Sequence, residues 1–482
     1  MAVDSIQQQL IDPISAALYA RVLVFVLVGV GVYFTVRTRF VQVRYFLRML
    51  GQLRRSNDGD GVSSFQAFCV GLASRVGTGN IAGVAIALTL GGPGAIFWMW
   101  VVAALGMATA LVEATLAQIF KVRGGDGTFR GGPAFYIQRG LGSRAGGVAY
   151  AVLLVLTFGV AFNMVQANAI SDVLTTSHAV AVQWTTVGLV VLAAPVLFGG
   201  IRAVSRVAGA VLPIVATGYV ALALVIVAVN ITELPRIFEQ IIGGAFGIRE
   251  MAGGFSGGIA AAMLNGVRRG LFSNEAGMGS APNIAATATV SHPVLQGLIQ
   301  SLGVFVDTFV VCSATAFIIM SAGPDVYDPA NSAGIVGATL TQAAVAATVG
   351  PWTAGLMTLL VFVFAFSAVL ANYVCAEVNL FFLGARGAAI GVLRVVVLAS
   401  IAFGASADLA VVWTLADIAM GLLAIVNLVA IYRLGGWALA ALRDFQRQVD
   451  AGHTPVFIAA EAELPGVLDG SIWAGPDRHA RD

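Results

Sequence analysis

Charged side chains are scarce in this chain, because Asp, Glu, Lys and Arg make up only 10% of its 482 residues whereas 59% are hydrophobic. The mean hydropathy is +0.90. A water-soluble domain could not carry this composition without exposing large apolar patches. The formal net charge of +2 comes from short basic clusters between apolar runs, which excludes the continuous basic face of a nucleic-acid-binding protein. The composition predicts a polytopic, all-α membrane protein.

Reactive and metal-binding side chains are also few. The three cysteines all fall inside apolar stretches, and an odd number without paired spacing argues against a disulfide framework or a metal site. The four histidines lie in loops or in the tail, so no histidine proton relay is expected. The sequence has no G-x-S-x-G, H-E-x-x-H or Walker motif. We therefore expect no enzyme activity, no ATP hydrolysis and no covalent cofactor.

Eleven apolar segments approach the roughly 17–25 residues that a spanning helix needs. The acidic N-terminus lacks the basic region of a signal peptide, so the first span is expected to stay. The segments lie near residues 15–36, 64–90, 94–120, 148–171, 184–200, 207–230, 251–267, 296–322, 351–383, 389–405 and 410–432.

Basic residues in the connecting loops predict the orientation. With the N-terminus outside, the outer loops keep only Arg236 and Arg249, the asymmetry of the positive-inside rule. This predicts an N-out, C-in topology. The basic residues placed inside are Arg37, Arg39, Arg44, Arg48, Arg54, Arg55, Lys121, Arg123, Arg130, Arg139, Arg144, Arg202, Arg206, Arg268, Arg269, Arg386 and Arg433.

Two regions lie outside the spans on the inner side. In residues 37–63, apolar side chains from Phe40 to Leu53 recur at helical spacing with arginines on the other face. This pattern predicts an amphipathic helix on the inner leaflet, the alternative being a solvated loop. Residues 433–482 are more polar and contain prolines, which predicts a cytoplasmic tail that is partly disordered.

Glycines interrupt two of the apolar segments. Because these segments are five spans apart, the units 64–230 and 251–432, joined by an outer loop at 231–250, would run in opposite directions across the membrane. This is the layout of inverted-repeat transporters, in which the first helix of each repeat is broken at the midplane; residues 1–36 would be an extra helix. The alternative is that the glycines only permit close helix packing. They are Gly71, Gly77, Gly79 and Gly83 in segment two and Gly253, Gly254, Gly257 and Gly258 in segment seven.

A broken helix offers free N–H groups to a carboxylate and free carbonyls to an ammonium group or a cation. We assign residues 76–80 to the unwound stretch of segment two, where Thr78 and Asn80 add polarity, and expect residues 253–258 to face it. In span four, Gln166 is either a substrate contact or an amide that joins neighbouring helices. In span nine, Ser367 is either a cation ligand or a hydroxyl that bonds back to its own helix.

Ionisable residues in or near spans are costly enough to need a partner or a cavity. Asp307 is expected to bind a cation or to pair with an arginine such as Arg75. Glu113 and Glu377 map toward the cytoplasmic ends, where gating or snorkelling explains them. Asp417 is a further ionisable residue in a span, and it therefore also needs a partner or a cavity.

Several stretches resemble the alanine or glycine:cation symporter family of bacterial and archaeal secondary transporters. The matching motifs are LASRVGTGNIAGVAIALTLGGPGAIFWMW at 72–100, GGPAFYIQRGLG at 131–142, FNMVQAN at 162–168, RRGLFSNEAGMGSAP at 268–282, HPVLQGL at 292–298 and FAFSAVLANYVCAE at 364–377. The resemblance implies the leucine-transporter fold in a prokaryotic cytoplasmic membrane. It also implies uptake of alanine or glycine driven by sodium, or sometimes by protons.

The resemblance, together with the polar residues found in the spans, predicts residue roles. Sodium is expected at Ser74, Gly77 and Ser367. Asn274 and Glu275 are expected on an inner loop, where with Arg75 and Glu377 they would shape a cytoplasmic gate. The residues expected around the substrate are Gly77, Thr78, Gly79, Asn80, Asn163, Gln166, Gly253, Gly254 and Asn372.

Span nine departs from the family pattern. Ala368 and Asn372 stand where many members have a hydroxyl residue and a tryptophan, which leaves the ion and the exact amino acid open. The expected partners are a small neutral amino acid, sodium and the lipid bilayer, with the protein acting as a monomer. The alternatives are a proton-coupled transporter of another small amino acid, a cation channel, or a sensor without transport.

Overall fold

The computed structural model describes residues 12–52, 64–124, 128–247, 257–329, 336–468 and 472–473, and these form a helical bundle with one short two-stranded ribbon. The ribbon pairs β1 (Val122–Arg123) with β2 (Phe129–Arg130). The helices are α1 (Pro13–Arg37), α2 (Val41–Arg44), α3 (Phe46–Gln52), α4 (Ser64–Arg75), α5 (Gly79–Gly91), α6 (Gly94–Ile119), α7 (Pro133–Gly140), α8 (Arg144–His178), α9 (Val182–Phe198), α10 (Gly200–Val229), α11 (Leu234–Ala245), α12 (Gly257–Asn274), α13 (Ser280–Ala285), α14 (Pro293–Ser321), α15 (Ala338–Val349), α16 (Thr353–Phe382), α17 (Ala388–Ser406) and α18 (Leu409–Asp450).

Fewer helices meet the length and hydropathy of a membrane span than the eleven apolar segments predicted. Within the described residues seven helices do so, or eight if the helices on either side of the 76° bend after Val229 count as one span. Each predicted segment nevertheless contains a helix. Segment two falls short because it is divided into α4 and α5, and α9 has only 17 residues. The buried helix α15 was not predicted, because its 12 residues are too few to cross a bilayer.

The two interrupted helices run antiparallel at the centre of the bundle. The first interruption is at Val76–Gly77, inside the predicted stretch 76–80. The second separates α12 from α13 at residues 275–279, where Glu275, Gly277 and Gly279 have positive φ angles. Helix α4 packs against α13 while α5 packs against α12, so the first half of each helix contacts the second half of the other.

The position of the second interruption corrects the sequence analysis. Residues 253–256 lie outside the described part of the chain, and Gly257 and Gly258 begin α12. The motif at 274–277 is not an exposed inner loop, since Asn274 is fully buried and Glu275 is 2% exposed. The polar and charged residues at this position therefore belong to a buried helix break and not to a loop on the surface.

The last helix is longer than predicted. α18 continues through residue 433, the expected start of the tail, as far as Asp450. The reason is that Leu434, Ala438, Leu442 and Phe445 keep one buried apolar face at helical spacing. Residues 433–450 are therefore helical rather than disordered, and the cytoplasmic location of residues 433–482 stays a prediction.

The segment after α18 folds back onto the bundle. The indole N–H of Trp473 donates to the carbonyl of Gln118 near the end of α6 (3.2 Å), and its ring meets Phe457 edge-on at 5.4 Å. Trp473 is 6% exposed and Phe457 is 2% exposed. These two side chains anchor the tail across the end of α6.

The predicted amphipathic segment forms two short helices, α2 and α3. Phe40, Val43, Leu47 and Leu50 are exposed, whereas Met49 is buried. The exposed apolar row has the spacing expected of a helix face, and its contact with the inner leaflet stays a prediction.

We predict that Trp473→Ala releases the tail from α6. Limited proteolysis of residues 452–468 should become about tenfold faster or more, because local opening is then easier by at least ~1.4 kcal/mol. Trp352→Ala is the matched control, since Trp352 is 70% exposed. Equal cleavage rates in the two variants would show that Trp473 does not anchor the tail.

Candidate functional site

The two interruptions are joined by a carboxylate. The Ser74 hydroxyl, at the end of α4, donates to both oxygens of Glu275 at 3.2 and 3.1 Å. The Ser280 hydroxyl, at the start of α13, donates to the same carboxylate at 2.5 Å. Glu275 thus holds α4 and α13 together, and Ser74, expected as a sodium ligand, is bonded to this acid.

Backbone N–H groups at the first interruption are held by amide side chains. The N–H of Gly77 donates to Asn80 Oδ1 (3.0 Å), and the N–H of Thr78 donates to Gln166 Oε1 (3.1 Å). The Thr78 hydroxyl is buried and has no partner among the described residues. A helix start with polarised N–H groups is an anion-binding arrangement.

The glycines here allow neighbouring helices to come close. A Cβ on Gly77 would lie 3.0 Å from the Ala368 Cβ and 3.2 Å from Gln166 Oε1, and a Cβ on Gly79 would lie 2.9 Å from the Phe272 ring. The break is therefore packed directly against α8, α12 and α16. Even one carbon atom added to either glycine would be closer to these neighbours than an ordinary van der Waals contact.

Amides and a hydroxyl connect α8 with α16 near the break. Asn372 donates to Asn163 (3.0 Å), and Asn163 donates to the carbonyl of Phe158 in its own helix (2.9 Å). The Asn372 oxygen is buried without a partner among the described residues. The Ser367 hydroxyl donates to the carbonyl of Phe364 (2.9 Å), which is the bond back to its own helix that the sequence left open.

The end of the bundle at which α5 finishes is here called the α5 end. Between this end and the breaks, the bundle is closed by aromatic rings and an ion pair. The Phe272 ring lies 4.6 Å from Phe162 and 4.7 Å from Trp413. The Arg269 guanidinium lies 4.5 Å from the Trp413 ring and forms a buried ion pair with Asp417. The topology predicted from the sequence has Arg269 in an inner loop. It is instead a buried residue of α12, and the unpaired Asp417 in a span was the signal for such a partner.

A second network closes the opposite end, where α6 finishes, here called the α6 end. Glu113 accepts hydrogen bonds from the N–H of Gly277 (3.2 Å) and from Asn427. Asn427 also donates to the carbonyl of Gly277 (2.9 Å) and accepts from Tyr136. Glu113 is 1% exposed, so its interpretation as a snorkelling residue is wrong.

The remaining predicted gate residues have different surroundings. Arg75 is 2% exposed and donates to the carbonyl of Gln300 (3.1 Å). It forms no ion pair with Asp307 in the part of the chain that the structure describes, so that expected pair is absent there. Asn274 accepts from the N–H of Ala276 (3.0 Å) and shapes the second break. Glu377 is partly buried near the end of α16. Gly253 and Gly254 lie outside the described residues.

Two antiparallel interrupted helices that meet in a buried polar centre of a membrane-embedded bundle define the architecture of a secondary transporter. Residues 4–459 match the family model described as the sodium:alanine symporter family. The chain belongs to this family, which makes it a symporter rather than an enzyme.

Named relatives cover nearly the whole chain. A probable sodium/glutamine symporter of Bacillus subtilis is 46% identical over 91% of this chain and 91% of its own length. An amino-acid carrier protein of the same organism is 43% identical, with 95% and 96% covered. A sodium/alanine symporter of Methanococcus maripaludis is 35% identical, with 90% and 96% covered.

We predict that Asp417→Asn destabilises the protein by ~3–5 kcal/mol, because Arg269 is left as a buried unpaired charge. The readout is the thermal midpoint of the purified protein in detergent. The matched control is Glu233→Gln, which breaks the exposed ion pair with Arg236 and should cost at most ~1 kcal/mol. Similar midpoints for both variants would contradict a structural role for the buried pair.

Proposed function

We propose that this protein couples the inward transport of a small neutral amino acid, alanine or glycine, to the sodium gradient across a prokaryotic cytoplasmic membrane. In this proposal the bundle has eleven spans in two inverted five-helix repeats, with the N-terminus outside and the protein acting as a monomer. The observation that carries the proposal is the pair of interrupted helices, which Ser74 and Glu275 join and of which the first is hydrogen-bonded to Gln166 through its backbone.

The first interruption supplies the amino-acid site. The N–H groups of Gly77 and Thr78 are held by the oxygens of Asn80 and Gln166, which occupy positions that a substrate carboxylate would take. The interruption also frees backbone carbonyls, which suit the ammonium group. Close packing of Ala368 and Phe272 against the glycines favours a substrate with a side chain no larger than a methyl group.

A larger, polar substrate is the second candidate. Asn372 replaces the tryptophan of the family pattern, and its buried oxygen lacks a partner among the described residues. A relative at 46% identity is named a sodium/glutamine symporter. An amide substrate such as glutamine would satisfy this oxygen, so glutamine belongs in any panel of tested substrates.

Ser367 supports a sodium site between α16 and the first break. Its hydroxyl hydrogen is donated to Phe364, which leaves oxygen lone pairs for a cation together with backbone carbonyls near Gly77. Ala368, the next residue on α16, lies against Gly77, so α16 and the break are close enough to share an ion. Ser74 would join them only by leaving Glu275.

Alternating access follows from the two closures. The Arg269–Asp417 pair with Phe272 and Trp413 closes the α5 end, and the Glu113–Asn427–Gly277 network closes the α6 end. With the predicted orientation these are the outer and inner gates, and Arg75, Asn274, Glu275 and Glu377 belong to the inner one. A cation channel would need a continuous polar path, which the aromatic layer interrupts.

We predict that the purified protein in liposomes accumulates labelled alanine or glycine under an inward sodium gradient. If sodium stabilises the broken helix, it tightens alanine binding, and alanine must tighten sodium binding by the same factor. Glutamine and D-alanine are tested in parallel. Accumulation that persists after the sodium and proton gradients are both collapsed would reject coupled transport, and accumulation driven by protons alone would select the proton-coupled alternative.

We predict that Gln166→Ala lowers the affinity for alanine by about tenfold or more. In the proposed complex the substrate carboxylate takes the N–H of Thr78 from the Gln166 oxygen and accepts from the Gln166 amide N–H, and hydrogen bonds that involve a charged group contribute ~1.5–3 kcal/mol. The yield of folded protein should change little. Asn168→Ala is the matched control on the same helix, since Asn168 donates to the carbonyls of Gly404 and Ala407 in α17 and its loop. The control should lower yield while leaving the affinity of the folded fraction unchanged. Equal losses of yield in both variants would assign Gln166 to helix packing.

A further inference from the structure

Two arginines on α2 and α3 line an open cavity at the α6 end of the bundle. The cavity has a volume of about 760 Å³ and lies between α3, the last turns of α18 and the residues that follow α18. Its basic lining residues are Arg44 and Arg48, and both are exposed. Neither forms an ion pair with an acid among the described residues. Their charges are therefore available to a ligand.

The bundle fixes the position of these arginines. Both guanidinium groups lie over the ring of Tyr45, at 5.6 and 5.7 Å from its centroid. Tyr45 is 8% exposed and packs edge-on against Phe445 of α18 at 6.2 Å. The next residue, Phe46, packs edge-on against Phe305 of α14 at 4.8 Å. The two charges are thus held beside one another on packed aromatic side chains.

The lining of the cavity has more positive than negative charge. Its acidic residue is Asp450, the last residue of α18, so two guanidinium groups face one carboxylate. Counting histidine as neutral, this leaves one positive charge in excess. A phosphodiester carries one negative charge, and its oxygens match the N–H groups of a guanidinium. One phosphodiester would therefore balance the charge of the lining.

Apolar side chains border the cavity. Leu47 lines it and also belongs to the exposed apolar row on α2 and α3, where it is 82% exposed. Basic residues next to an apolar helix face form an arrangement that binds both the headgroup and the acyl chains of an anionic lipid. A water-soluble phosphate compound would leave the apolar row uncovered. The row therefore favours a lipid as the occupant.

We propose that this cavity binds the headgroup of an anionic phospholipid such as phosphatidylglycerol. Arg44 and Arg48 hold the phosphate, and the apolar row contacts the acyl chains. With the predicted orientation the lipid belongs to the inner leaflet. It joins α3 to the end of α18, because the cavity lies between them. Binding of the lipid requires neither the transported amino acid nor the coupling ion.

The test is native mass spectrometry of the purified full-length protein in detergent, titrated with dioleoyl phosphatidylglycerol, phosphatidylethanolamine or phosphatidylcholine. The wild type should bind one phosphatidylglycerol about tenfold or more tightly than either zwitterionic lipid, the size expected of two arginines near an anionic headgroup. The double variant Arg44→Gln, Arg48→Gln should lose this preference. Each single variant should reduce it by about threefold or more, so the single variants carry the test if the double variant does not fold.

Arg386→Gln is the matched control. Arg386 is also exposed, and it lies in the loop between α16 and α17 and not in the lining of the cavity, so its variant should keep the wild-type preference. The site would be overturned by a wild type without a preference for phosphatidylglycerol, by an unchanged preference in the double variant, or by an equal loss in the control. Glycerol 3-phosphate, which lacks acyl chains, should not displace the lipid. Displacement at the concentrations at which the lipid binds would assign the cavity to a soluble phosphate compound instead.

Discussion

The bundle depends on how two helices end and restart in its interior. An interrupted helix leaves backbone N–H and C=O groups unpaired, and at membrane depth such groups are tolerated only where protein or a cavity satisfies them. Here side chains satisfy them. Asn80 and Gln166 accept from the first break, Asn274 and Glu113 accept from the second, and Glu275 binds the hydroxyls on either side. The two breaks are therefore one structural unit.

Sequence patterns locate the first break but not the second. Gly77 and Gly79 interrupt an otherwise apolar segment, and a break follows because glycine weakens a helix in its interior. The second break, residues 275–279, resembles a polar surface loop in the sequence, because a charged residue such as Glu275 is expected outside the membrane. Inside the bundle, Glu275 is stabilised by the hydroxyls of Ser74 and Ser280, which donate to it. Those donors come from another part of the sequence, so local pattern cannot reveal them.

The same limit applies to the other misplaced residues. Arg268 and Arg269 look like a basic loop when only neighbouring residues are considered, but Arg269 is neutralised by Asp417, 148 residues further along the chain. Helix α15 lies below the length of a span yet is buried, and its Thr341 hydroxyl donates to the carbonyl of Ile81 (3.3 Å). In contrast, amphipathic periodicity in the sequence was sufficient to predict the row of exposed apolar side chains along α2 and α3. This row depends on helical spacing alone and requires no distant partner.

Asn80 connects the first break with the buried acid Asp307 of α14. Its oxygen accepts the N–H of Gly77, in the backbone proposed for the amino acid, while its amide hydrogens are donated to Asp307. The oxygen and the nitrogen of Asn80 belong to one planar amide, so a movement of the Asp307 carboxylate also moves the oxygen that accepts from Gly77. Conversely, a substrate carboxylate that takes the N–H of Gly77 frees the Asn80 oxygen and allows the amide to shift against Asp307. Coupling between the first break and α14 by this route needs no long-range rearrangement, since one side chain connects them.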